Sequence, residues 1–161
     1  MNFKKMLMAA LALTMLFTVT ACGGASSGNS DPNLDLAGFY EEIRGDYEFP
    51  MSMQLAEQEV QDIFYAGLSE IETEQCLVYA NMMTMNMGEF ALVKVTNSED
   101  VEAVKAILQA RIDTQVNGGA FYPEAEAQWA NNSTVVSNGN YIMMVVHSEF
   151  EAIVEKFNSQ F

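Results

Sequence analysis

Apolar residues along the chain follow two rhythms. Leu36, Phe39, Tyr40 and Ile43 recur at helical spacing, so the pattern predicts a first helix over 33–44, with Asp31 or Asn33 as its cap and Gly45 as its stop. Pro50 breaks the chain. A second, shorter helix is expected over 53–66, capped by Ser52, with Val60, Ile63 and Phe64 inward, Glu57, Glu59 and Asp62 on its wet face, and Gly67 closing it. Residues 73–81 and 90–96 read as strands of a hairpin. A long helix follows from Glu99 to about Val116, with Val101, Val104, Leu108 and Ile112 on its apolar face and Arg111 near its end, as the helix dipole favours. Gly118-Gly119 stops it. Pro123 suits the first turn of a short helix to Ala130, which Trp129 plugs onto the body.

Two more strands are expected over 134–137 and 140–147, turning at Asn138-Gly139, the strongest short hairpin signal. Tyr141 to Val146 is apolar at every position, which marks a central strand. Ser148 and Glu151 form a capping box for a last helix, whose apolar stripe is Phe150, Ile153, Val154, Phe157 and Phe161. The two hairpin-helix units echo each other. Gly88-Glu89-Phe90-Ala91-Leu92-Val93 resembles Gly139-Asn140-Tyr141-Ile142-Met143-Met144, and Glu102-Ala103-Val104 resembles Glu151-Ala152-Ile153, with a short gap between. The expected fold class is α+β: N-terminal helices, then two β-β-α units forming a four-stranded antiparallel sheet with helices packed on one face. Residues 33–161 make one domain.

The first residues follow another logic. Lys4 and Lys5 precede an apolar run that ends in Val19-Thr20-Ala21-Cys22. A basic start, an apolar core and small residues before a cut read as a secretory signal peptide over 1–21. The run is shorter than the roughly 20 residues that span a bilayer. Val19-Thr20-Ala21-Cys22 resembles the lipobox of bacterial lipoproteins. That resemblance implies a diacylglycerol on the Cys22 sulfur, cleavage before it and a membrane anchor. Residues 22–32, rich in Gly and Ser, then read as a flexible tether.

Loss of the leader takes the formal charge from −15 to about −17, against 22 acidic residues. So acidic a chain repels phosphate backbones, which excludes nucleic acid as a partner. With Cys22 assigned to lipid, Cys76 has no partner for an intramolecular disulfide, and its apolar neighbours make it a small core residue.

Phe64-Tyr65, the segment Met82-Met83-Thr84-Met85-Asn86-Met87, Glu89-Phe90-Ala91-Leu92-Val93-Lys94-Val95, the long helix with Arg111, Tyr122-Pro123-Glu124 and Gly139-Asn140-Tyr141, behind a lipobox, resemble a family of small bacterial lipoproteins catalogued as domain of unknown function 4358. The resemblance covers nearly all of the chain after the leader. It implies a location and a fold, and no activity or catalytic residues.

The residues themselves offer little catalytic chemistry. His147 is the only histidine, at the end of an apolar strand, and no nucleophile elbow accompanies it. Asp31, Asn33, Asp35 and Glu42 match positions of a calcium loop, but Leu36 stands where that loop needs Gly. Met83, Met85 and Met87 alternate and would share one face of a strand. Thioethers suit Cu(I), and Met also fills cores and adaptable binding surfaces. The expectation is a membrane-anchored, extracytoplasmic domain of unknown activity. It would bind or assist a cell-envelope protein without catalysis and without a cofactor. The alternative is a copper or small-ligand binder using residues 82–87.

Overall fold

The computed structural model describes residues 33–81 and 88–161 of the 161-residue chain. Helix α1 (Leu36–Asp46) leads into strand β1 (Ser52–Gln54), helix α2 (Gln58–Phe64) and the hairpin β2 (Thr73–Asn81) and β3 (Glu89–Val95). Helices α3 (Val101–Thr114) and α4 (Pro123–Asn131) follow, then β4 (Ser133–Asn138), β5 (Tyr141–Val146) and α5 (Phe150–Asn158). All neighbouring strands are antiparallel, in the order β1-β2-β3-β5-β4. Among the described residues, no helix is long and apolar enough to cross a membrane.

Among the described residues the sheet has five strands, not four. The extra one, β1, lies where the start of the second helix was expected. Ser52, Met53 and Gln54 pair with Asn81, Ala80 and Tyr79, and this pairing outweighs a weak local helix preference. Helix α2 begins only after Glu57. Val60 and Phe64 pack against the core as expected, but Ile63 does not. Ile63 is 76% exposed, whereas Gln61 is buried and its amide donates to the Leu55 carbonyl at 2.7 Å.

The helices pack on both faces of the sheet, which corrects the one-faced expectation. On one face Val78, Ala91, Val93, Ile142 and Met144 meet Tyr65 of the α2 end, Val104, Leu108 and Ile112 of α3, and Trp129 of α4. On the other, Phe90, Leu92, Tyr141, Met143 and Val145 meet Leu36, Phe39, Tyr40 and Ile43 of α1 and Ile153 and Phe157 of α5. Every residue of β3 and β5 is buried, as a central strand between two layers requires. The β-β-α echo therefore holds in the strands and fails in the helices. Phe90 and Tyr141, and likewise Leu92 and Met143, share a face, yet α3 and α5 lie on opposite faces.

Local signals shift by a residue or two. Asp35 caps α1 by accepting from Ala37 N–H. The β4–β5 loop is Gly139-Asn140, one residue later than expected, because Asn138 pairs with Tyr141. Gly139 has φ +53° and Asn140 does not share the positive sign, the pattern of a type II′ hairpin. The Ser148–Glu151 capping box is not formed. Helix α5 starts after Glu149, whose N–H donates to the His147 ring instead.

Ile142→Ala and Met143→Ala point to opposite faces, and each should lower stability by about 2–5 kcal/mol in urea unfolding. A sheet covered on one face only would leave one of the two nearly silent.

Candidate functional site

Glu89 opens the central strand β3 with only 1% of its surface exposed. A carboxylate so placed needs compensation for lost water, and three elements supply it. Arg111 lies on the buried stripe of α3, one turn from Leu108. Its Nε donates to Glu89 Oε1 at 2.7 Å and its Nη2 to Oε2 at 2.9 Å, the two-pronged geometry that guanidinium and carboxylate favour. Tyr65, at the C-terminal cap of α2, donates its hydroxyl to the same Oε1 through a short hydrogen bond. The guanidinium also lies over the rings of Phe64, 5.0 Å away, and of Trp129 on α4, 5.3 Å away. Such stacking stabilises a desolvated cation.

The cluster is electrostatically closed. Burial raises the Tyr65 phenol well above its ordinary range, and the charge and hydrogen bond of Glu89 raise it further. Burial works against the charge on Arg111, but the hydrogen bonds and charge of Glu89 more than offset it and hold the guanidinium above its usual range. Neither group is tuned to exchange a proton near neutral pH, so the arrangement is suited to joining α2, α3 and α4 to the sheet.

The other chemically capable groups are also engaged in packing. Burial pushes the Cys76 thiol up to about 11, far from the reactive thiolate range, and its Sγ lies 3.7 Å from Gln61 Oε1. His147 Nδ1 accepts from Glu149 N–H at 3.0 Å, leaving Nε2 to donate to the Glu48 carbonyl at 3.1 Å. Of the calcium-loop pattern, Asp35 caps a helix and Glu42 pairs with Lys156 of α5 at 2.8 Å. Among the described residues, no three His, Cys, Asp or Glu side chains come together to hold a metal ion. Cys22, Met83, Met85 and Met87 lie outside the described residues, as does Asp31.

A cleft of about 370 Å³ opens between α1, β1 and β2, lined by Tyr40, Arg44, Glu48, Phe49, Pro50, Ser52 and Tyr79. Tyr40 and Tyr79 stack with centroids 3.6 Å apart. The wall of the cleft is fixed from behind, because His147 holds the Glu48 carbonyl and Asn81 Nδ2 donates to the Pro50 carbonyl at 2.9 Å. Ser52 Oγ is buried without a hydrogen bond. Burial raises the Tyr40 phenol, and the Ser52 hydroxyl and Arg44 hold that rise back.

Sequence reasoning missed both features. Glu89, Arg111, Phe64 and Tyr65 carried the family resemblance, yet nothing in their spacing says that they meet. The available signal was a lone Glu at the head of an apolar strand and a lone Arg on the apolar stripe of a helix. Two such charges in one small domain call for each other.

Removing both partners should cost less than the two single removals together. Arg111→Met or Glu89→Leu alone should lower stability by about 3–5 kcal/mol, and the double variant by less than the sum, measured as a cycle in urea unfolding. Additive losses would mean that the two side chains do not act as a pair.

The family model for a domain of unknown function (DUF4358) matches residues 45–147. No curated protein and no solved structure matches the chain. The matched span runs from the end of α1 to His147 and includes Phe64, Tyr65, Glu89, Arg111 and Trp129. The chain belongs to the DUF4358 family.

Proposed function

We propose that this protein is a lipid-anchored, extracytoplasmic domain that acts as a non-catalytic binding or accessory module at the cell envelope. One observation carries the location: Lys4-Lys5, an apolar run broken only by Thr14 and Thr18, and Val19-Thr20-Ala21-Cys22. Their order supports export, cleavage before Cys22 and lipid on its sulfur. The Gly/Ser-rich residues that follow would let the domain stand off the membrane.

The non-catalytic part rests on the commitment of the reactive groups. Cys76 is held as a thiol, His147 braces a loop, and Glu89 and Arg111 neutralise each other. A nucleophile with a base oriented toward it is the arrangement that covalent catalysis requires, and these residues serve packing instead. The acidic surface favours a basic or neutral protein partner over any anionic polymer.

Replacing Cys22 by Ser tests the anchor. The protein should leave the membrane fraction, or stay there unprocessed with its leader attached, and should no longer incorporate labelled fatty acid. Normal processing and continued lipid labelling in the variant would contradict the reading.

A further inference from the structure

The two edges of the sheet are unlike. Strand β1 is three residues long and follows a turn in which Met51 is held at φ +60° after Pro50, a conformation that side chains larger than Asn rarely adopt. A short edge beside a proline turn is poorly suited to accept another strand. Strand β4 is six residues long and pairs with β5 without a register shift. It lacks the usual edge protections: Ser133-Thr134-Val135-Val136-Ser137-Asn138 contains no charge and no proline.

The pairing shows which backbone groups face outward. His147 N–H donates to the Asn132 carbonyl at 2.8 Å, in line with the register Ser133 to Val146. Antiparallel pairs alternate, so Thr134, Val136 and Asn138 bond to β5, and Ser133, Val135 and Ser137 direct their N–H and carbonyl groups away from the sheet. Among the described residues these groups have no backbone partner. The faces of the strand are covered, Val135 by the α3 side of the core and Val136 by the α5 side. Only the edge is open.

We propose that β4 is a homodimer seam, pairing antiparallel with β4 of a second copy to join two five-stranded sheets into one of ten strands. The sequence is self-complementary about Val135. A two-fold axis there sets Val135 opposite Val135, Thr134 opposite Val136 and Ser133 opposite Ser137, which is the isologous contact that closed dimers use. The outward groups of Ser133, Val135 and Ser137 then meet their counterparts in on the order of six backbone hydrogen bonds. Charge selects the same edge. The chain carries −15 overall, yet no charged residue occurs from Ala127 to Ser148. Two such acidic copies can approach along this seam without setting strand carboxylates against each other. A single strand pair is smaller than the ~1,200–2,000 Å² of a stable interface, so the dimer is expected to be weak and concentration-dependent.

Sedimentation equilibrium of the full chain in mild detergent, over a wide concentration series, tests this. The expected result is a mass that moves from monomer toward dimer as concentration rises. In the Ser133→Lys/Ser137→Lys variant the seam would place lysine opposite lysine, and dimerisation should weaken tenfold or more; Ser133→Ala, which loses the same bond from the Ser133 hydroxyl to the Trp129 carbonyl without adding charge, should still dimerise. If the double variant does not fold, Ser137→Pro is the second test: it deletes an outward N–H and leaves the ladder to β5 intact. A wild-type chain that stays monomeric throughout would overturn the proposal. So would dimerisation unaffected in the folded double variant or in Ser137→Pro.

Discussion

Glu89 sets the constraint on which the helical layer above the sheet depends. A carboxylate at the head of the central strand, removed from water, destabilises the fold unless its charge and hydrogen-bonding capacity are met. Arg111 meets both oxygens and Tyr65 adds a donor. That requirement fixes the rotation of α3 and the end of α2. The stacking of Arg111 between Phe64 and Trp129 extends the tie to α4. Such a pair contributes less to net stability than a well-packed apolar cluster would, but it penalises arrangements that separate its members. The apolar residues of this face could meet in several ways; the charges far fewer.

The opposite face is organised mainly by packing, with Gln75 and the Tyr141 hydroxyl holding the backbone at the start of α1. Phe39 meets Phe157 edge to face at 6.0 Å, and Tyr40 is sandwiched against Tyr79 and packs near Phe90. Lys156 spans from α5 to Glu42 and Asp46 of α1 at the rim, an exposed tie of small energetic weight. Burying β3 and β5 between these layers gives the domain its core, and Cys76, the one described cysteine, packs partly buried against it as a thiol.

Much of this was legible in the sequence. Strands β2 to β5, the long helix and the last helix lie within a few residues of where periodicity puts them, because each carries a strong apolar rhythm. What failed had a physical reason. Ser52 to Gln54 has no strand rhythm of its own and becomes β1 only because Tyr79 to Asn81 offers a free edge. The all-apolar run Tyr141 to Val146 marked a central strand, and its full meaning, a second helical layer, needed α1 and α5 to be placed against the other face. The Glu89 cluster left only the trace of two lone charges on apolar stripes, because Tyr65 and Arg111 lie 24 and 22 positions from Glu89 and no local rhythm links them. The anchor at Cys22 and the methionine segment lie outside the described residues, so their reading still rests on sequence.

The central claim is that the polar cluster is a closed part of the core and not a proton-exchanging site. Alkaline titration of the phenols, followed by their absorbance in the wild type and in Tyr65→Phe, tests it most directly. Burial and Glu89 raise Tyr65 above its ordinary value of 10. The folded state therefore keeps this proton where the unfolded chain loses it, and stability falls as pH rises past that value. The account predicts that Tyr65 is among those of the six tyrosines that ionise only as the protein unfolds, and that the absorbance step at unfolding is smaller by one phenol in Tyr65→Phe. A Tyr65 that ionises reversibly near pH 10 in the folded protein would contradict it.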